Sequence, residues 1–577
     1  MSLQSFLRSS PHPPEAPMSG CQHSSLPTEP VRLGPYLWVA VAVWFFTGIA
    51  SINGFTFFLD TPTIATMAKN GPIWQDAASG AASGRYFPIF WFVNHAGWHL
   101  SGGSIAGMQA MQVAIFGGIL AVIGGILRVF GVRSAWILAA AGLLTVIRPA
   151  AEVLMTVGKA EMIVSLLVLC ALLAMFADPV LRGTQPTGRT WFFPAAYWVA
   201  VVLAVWAKET AAVLLVAAAA GAAFALAAPS GRRLRSLARS GVYLAVTVAG
   251  ILAARLPVIF HSPRAAEAPT AASYGAFRPS LESITDNLGV YLTVCPELVW
   301  LLPGLGVLTA VCFWKAGLVE DSGRSLRAVA GATVFWATGA AYFAGLQLWR
   351  WGSVYYMYPA YLFVGIALVL CISSLWMNGR VARGLAIVLL AGFLVAKAHA
   401  GLGFIGSAAV QRMTARQYSE LIDLLQRESG GNPDAWVFLL DHPRLSEPPI
   451  QTNIMLALLG AKNIKVVGAL ELMQPVPPSP NTALLAGIDV GPENLRPQPG
   501  DFVVQFDRDF PVTTEIRGVT DVRRLEPKDL EKAAGLKCSV RATSSEETTV
   551  PVGLSLSRGI KRVVIRSGYE LQQVDSP

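Results

Sequence analysis

The sequence predicts a polytopic α-helical membrane protein that carries a small α/β domain at its C-terminal end. Hydrophobic residues make up 54% of the 577 positions and charged residues only 14%, a balance that a soluble core does not need. The apolar residues gather in blocks of roughly 15 to 26, and each block is long enough to cross about 30 Å of hydrocarbon as a helix. After residue 406 the blocks give way to short β-rich runs alternating with helical periodicity.

Hydropathy places about eleven spans, near residues 36–58, 105–127, 134–150, 160–177, 192–207, 210–228, 241–260, 293–313, 328–346, 355–375 and 384–405. The third is interrupted by Arg148 and Pro149 and the fifth by Pro194. Ahead of the first span, residues 1–33 are rich in Pro and Ser and lack an apolar h-region. They read as a disordered cytoplasmic tail, and the first span as an uncleaved anchor.

Orientation follows from the basic connectors, which stay on the cytoplasmic side. Arg128 and Arg133, Arg182 and Arg189, Arg232, Arg233, Arg235 and Arg239, then Lys315, Arg324 and Arg327, and finally Arg380 and Arg383 all fall in alternate gaps. This predicts an integral plasma (inner) membrane protein with its N-terminus inside and its C-terminal domain periplasmic or extracellular. The formal net charge of +9 comes partly from these connectors and matches anionic lipid headgroups, with no argument for nucleic acid.

The domain plan is therefore a tail at 1–33, a transmembrane domain at 34–406 and a soluble α/β domain at 407–577. In the last, QRMTARQYSELIDLLQRES and NIMLALLGA have helical spacing, and DAWVFLLD, NIKVVGAL, DFVVQFD and KRVVIRSG read as strands. The six cysteines are scattered and form neither a disulfide framework nor a CxxC pattern.

Chemistry concentrates at the outer rim. Asp60 ends the first span, and an acid there is seldom present for packing. It also fits a helix cap, since Thr61 and Pro62 follow. The loop after it holds Asp76, Arg85 and an aromatic stretch with Phe87, Phe90, Trp91, Phe92 and Trp98, suited to the interfacial plane. His95 and His99 stand one helical turn apart, a spacing open to metal binding or to plain solvation. The next connector carries Arg148, Glu152, Lys159 and Glu161, which either form local pairs, Arg148 with Glu152 and Lys159 with Glu161, or bind an anion. Lys208 and Glu209 make up most of a very short turn, and Arg350 sits among Trp349, Trp351, Tyr355 and Tyr356. An ammonium or guanidinium at a membrane surface suits a phosphate, and snorkelling to the interface is the alternative.

The order of these features resembles the GT-C superfamily of polytopic glycosyltransferases, in particular its protein O-mannosyltransferase-like branch. The resemblance rests on Asp60 after the first span, on Arg85, Tyr86, Pro88, Asn94 and His95, on GKAEMIVSLLVLCALL and on the Lys208-Glu209-Thr210 turn. It covers residues 36 to about 230, and the later spans only through Arg350 and YMYP.

The resemblance implies transfer of a sugar from a polyprenyl-phosphate carrier to a protein, lipid or glycan acceptor at the outer face, with inversion. Asp60 would be the general base, and Lys159, Lys208 and Arg350 would hold the donor phosphate. Arg85, His95, Asp76, Glu161 and Glu209 would touch substrate or shape the loop, with Asp76, Glu152 and Glu161 as helper acids. Many members carry two adjacent acids after the first span, whereas this chain has Thr61 in second place. No cofactor or divalent metal is therefore expected beyond the lipid-linked sugar. The rival classes are a secondary transporter or lipid-linked glycan flippase, and a non-catalytic membrane assembly subunit. Against transport, the sequence shows no internal repeat and puts its charges at the rim rather than at mid-membrane.

Overall fold

A computed structural model describes residues 68–69, 71–74, 86–132, 147–155, 157–184, 190–261, 280–317, 323–348, 354–377, 380–428, 435–439, 465–468, 498–506, 537–555 and 559–575. The tail, the expected first span, the NIMLALLGA helix, and Asp60, Asp76, Arg85 and Arg350 lie outside these residues.

Twelve α-helices are described: α1 (Pro88–Leu100), α2 (Ile105–Val129), α3 (Arg148–Met155), α4 (Ala160–Ala177), α5 (Phe192–Ala207), α6 (Leu214–Leu226), α7 (Arg233–His261), α8 (Leu281–Val294), α9 (Pro296–Gly317), α10 (Gly323–Gln347), α11 (Tyr358–Met377) and α12 (Arg380–Glu428). Short 3-10 turns at Glu209–Val213 and Val354–Met357 lead into α6 and α11. Among the described residues, seven helical segments are long and apolar enough to cross a membrane, and Phe192–Ala207 is a shorter apolar helix. These eight match eight of the sequence blocks. A ninth block, 384–405, lies inside α12.

Burial follows from position in the bundle. In the most apolar 18-residue window of 355–376, most of it in α11, 89% of the residues are buried because neighbours surround them, and in the window that falls largely in α7 only 28% are, because one face is left for lipid. Near one end of the bundle, Phe130, Phe176, Phe224 and Phe335 interlock from α4, α6, α10 and the end of α2. Their successive ring centroids are 5.0 to 5.7 Å apart, the spacing aromatic pairs prefer. Gly331 makes this possible, since any Cβ there would strike the Phe130 ring.

At the turn between α4 and α5, Asp178 is fully buried and its charge is met on all sides. Arg239 Nε donates to its Oδ2 at 2.6 Å, Tyr243 Oη donates to the same oxygen at 2.8 Å, and the Val180 amide donates to Oδ1 at 2.9 Å. A buried carboxylate is tolerated only with such partners.

Most of the 134–150 block, residues 134–146, lies outside the described residues, and at its end Pro149 stands in the first turn of a short helix, α3, whose Ala150, Val153 and Leu154 are buried. A proline in the first helical turn loses no hydrogen bond, and apolar residues at helical spacing give the segment a face to bury. The helix expected to begin the soluble domain is continuous with the last span, since α12 passes residue 406 without a break.

The C-terminal region contains a five-stranded mixed sheet in the order β2-β1-β3-β5-β4. β1 (Trp436–Leu439) is parallel to β2 (Lys465–Gly468) and β3 (Phe502–Phe506), and β3 is antiparallel to β5 (Gly559–Val574). Four strands fall where the sequence put them. The fifth, β4 (Cys538–Ser555), is polar on both faces from Thr543 to Thr549 and forms a long hairpin with β5. The end of α12 buries Leu421, Ile422 and Leu425 against Val437, Phe502, Val504 and Leu571, with Ile105 of α2 packed on the same cluster. The sheet is thus joined to the rim of the helical bundle.

Candidate active site at the membrane rim

The site is assembled from helix ends. Gly158 takes φ 92°, a conformation that favours glycine, and turns the chain into α4. Lys159 is the residue before the first turn of α4, and Glu161 lies within that turn. Eighteen residues of helix direct their positive end at this point, so an anion is favoured beside it. On a separate connection, Lys208 ends α5 in extended backbone and immediately starts the Glu209–Val213 turn.

Tertiary packing brings the two lysines to one aromatic platform. Lys159 Nζ lies 3.9 Å from the Tyr355 ring centroid, and Lys208 Nζ lies 4.7 Å from that of Tyr356. The two rings are themselves 4.3 Å apart, so the turn before α11 holds both cations by their attraction to π faces. Lys208 also forms an ion pair with Glu161, whose side chain is 1% exposed against 13% for the lysine. Burial disfavours the Lys208 charge, but Glu161, Tyr356 and Glu209 more than offset it and hold the ammonium above the ordinary lysine range. Lys208 is therefore a fixed cation and not a base at neutral pH.

Glu161, for which the sequence offered nearby Lys159 as a local partner, pairs with Lys208 from a separate connection. Residues two apart at a helix start point away from each other, whereas the end of α5 faces the first turn of α4. Lys159 also lines a small cleft of about 10 Å³ with Val93 and Asn94 of α1, Met108 and Gln112 of α2, and Met162 of α4. The cleft is largely apolar with a cation at one place on its wall.

His95 is 1% exposed, between Trp91 and His99 on α1, with ring centroids 6.5 and 6.0 Å away. The aromatic stretch expected to lie among acyl chains is largely turned inward: Phe90, Trp91 and Trp98 pack around Met108 and Val157, and Phe92 is exposed. Among the described residues, no three His, Cys, Asp or Glu side chains gather as metal ligands would, and no disulfide forms.

Sequence reasoning passed over Glu297. It stands at the start of α9 and accepts a hydrogen bond from Tyr361 of α11. An acid at the rim of the 293–313 span was the available signal, the same one that singled out Asp60.

The fold and site together define an integral membrane protein with a buried cationic and aromatic cluster at one rim. No protein-family model matches the chain, and no curated protein matches its sequence. Among solved structures it is similar to ArnT from Cupriavidus metallidurans in the apo state, with 14% identity over 92% of this chain and 97% of that one and a TM-score of 0.47. It is also similar to the archaeal oligosaccharyltransferase AglB from Archaeoglobus fulgidus, in complex with an inhibitory peptide and a dolichol-phosphate, with 10% identity over 82% and 69% of the two chains and a TM-score of 0.45. A third likeness is to the arabinofuranosyltransferase AftD from Mycobacteria, with 16% identity over 94% and 40% and a TM-score of 0.41.

Proposed function

We propose that the chain is a GT-C-type glycosyltransferase, in the O-mannosyltransferase-like branch, that moves a sugar from a polyprenyl-phosphate carrier to an acceptor at the outer membrane face. The observation that carries this reading is the meeting of Lys159 and Lys208, from separate helix junctions, on the Tyr355–Tyr356 platform beside the start of α4.

Transfer with inversion needs a base and an anion hold. The acceptor oxygen attacks C1 of the sugar while a carboxylate removes its proton, and the bond from C1 to the carrier phosphate breaks with its electron pair leaving on the phosphate. Asp60 is the proposed base. Lys159, aided by the helix start, holds the departing phosphate, and Lys208 and Arg350 add positive charge. Glu161 and Glu209 orient Lys208. Asp76, Arg85 and His95 shape the loop around the acceptor. The residues supply this chemistry without a metal, and the C-terminal sheet stands on the acceptor side.

A non-catalytic assembly subunit is the reading favoured by one observation, the closed Lys208–Glu161 pair. The test is transfer of radiolabelled sugar from polyprenyl-phosphate carriers to membrane acceptors, with the unaltered chain and Asp60→Asn at matched expression. Transfer by the first and loss in the second establishes the enzyme and its base. Full activity in Asp60→Asn moves the base to another acid, and absence of transfer by both favours the assembly subunit.

A further inference from the structure

Two buried hydroxyls lie beside the rim site. Tyr342, near the end of α10, is 5% exposed, and Thr210 stands in the Glu209–Val213 turn. Their side chains are neighbours. Among the described residues, however, neither Tyr342 Oη nor Thr210 Oγ1 makes an aligned hydrogen bond, and both atoms are shut off from solvent. Burying a hydroxyl in that way is unfavourable, so each is a donor held in place without using its proton.

Their surroundings identify the acceptor. Tyr342 interacts with Glu161, Tyr356 and Glu209, and the same three residues surround the Lys208 ammonium. Lys208 and Tyr342 are thus two donors, from different elements, converging on one buried acidic group. In the arrangement observed, Lys208 holds the Glu161 carboxylate and Tyr342 does not.

The ion pair is unequal. The Glu161 side chain is 1% exposed and set in the first turn of α4, whereas Lys208 is 13% exposed and carries its charge on a flexible four-carbon stem. When the pair opens, the lysine is therefore the member that moves. Its ammonium already lies on Tyr356, next to the Tyr355 ring that holds Lys159, so an anion beside Lys159 draws it outward. Glu161 then keeps a buried negative charge, which is strongly disfavoured unless another donor meets it. The hydroxyls of Tyr342 and Thr210 can supply that donor, and a hydrogen bond to a carboxylate is stronger than one to a neutral group.

We propose that Tyr342, with Thr210 beside it, is a positioning residue that receives the Glu161 carboxylate when Lys208 leaves the pair for the phosphate of the donor. The proposal rests on the glycosyl-transfer reading, and it makes the closed pair the resting arrangement of an enzyme.

The test uses the full chain in detergent micelles, with undecaprenyl phosphate as the probe and undecaprenol, the same isoprenoid without its phosphate, as the control. Tyr342→Phe keeps the ring and removes the hydroxyl. Because that hydroxyl has no aligned partner while the pair is closed, the ligand-free variant is expected to unfold at the temperature of the unaltered chain. Its affinity for undecaprenyl phosphate is expected to fall about tenfold, the size of a lost hydrogen bond to a charged group. Thr210→Val should give a smaller fall, with undecaprenol binding unchanged in both. In a Lys208→Met background, where Glu161 has already lost its cation, Tyr342→Phe should instead lower the unfolding temperature by several degrees.

Equal affinity of Tyr342→Phe and the unaltered chain for undecaprenyl phosphate overturns the proposal. So does a ligand-free Tyr342→Phe that is destabilised by itself, since the hydroxyl then serves the resting structure. An unaltered chain that binds undecaprenyl phosphate no better than undecaprenol defeats the carrier reading instead. In that case the Lys208→Met background decides whether Tyr342 receives Glu161, and no added loss of stability there overturns it.

Discussion

Lys208 Nζ and a carboxylate oxygen of Glu161 form a buried ion pair that joins the end of α5 to the first turn of α4. The pair sits beside the Tyr355–Tyr356 platform that also carries Lys159. Lys208 is thereby tied into the helix junction, and Lys159 lines the small cleft beside it.

Breaking the pair from one side leaves a buried charge behind. Glu161→Gln or Lys208→Met alone is expected to lower stability by about 3 kcal/mol or more, and replacing both by Met is expected to recover most of the loss. Thermal unfolding in detergent micelles measures the three variants. The double variant should fold and still fail to transfer sugar, which separates the pair's structural part from its functional one.

Lys159→Met is expected to weaken donor use by roughly 10- to 100-fold, the size of a lost charge-assisted contact, with the change falling mainly on KM. Tyr355→Leu should show a smaller effect, about 0.5 to 2 kcal/mol, because it removes only the cation–π hold on the ammonium. Steady-state kinetics with a polyprenyl-phosphate donor distinguishes the two.

Gly406→Val forces the hairpin away from α12, because its Cβ would collide with the Pro551 carbonyl. Overpacking at such a contact costs about 1 to 3 kcal/mol. Limited proteolysis should cut between β4 and β5 faster in this variant, with the helical bundle left intact.

Asp501 accepts hydrogen bonds from the amides of Trp436 at 2.9 Å and Gln498 at 2.6 Å. Burial nevertheless raises its carboxyl above the ordinary 3.8, and the two amides only partly offset that. The folded state thus holds the proton more tightly than the unfolded one. Its contribution is fully present below 3.8 and is lost as pH rises through the higher folded value. Hydrogen-exchange protection of Trp436 and Phe502, corrected for intrinsic rates, should fall over that window. Asp501→Asn should flatten the profile.

The sequence by itself determined the class of molecule. Blocks of apolar residues long enough to span hydrocarbon have no other stable conformation there than a helix, so α2, α4 and α5 fall within two residues of the predicted spans and α6 and α9 to α11 within about five. β1, β2, β3 and β5 were legible because β-branched and aromatic residues cluster in them. β4 was not, since its buried face is polar or small and is set by the partner strand and α12. The rim lysines were legible as isolated cations between apolar runs. Which acid Lys208 meets was decided by tertiary structure, because helix ends distant in sequence become neighbours only when the bundle packs. The same packing turned Trp91 and His95 inward and brought Glu297 to Tyr361. Local pattern fixes what a segment can bury, and the assembled neighbours fix where each charge must find its partner.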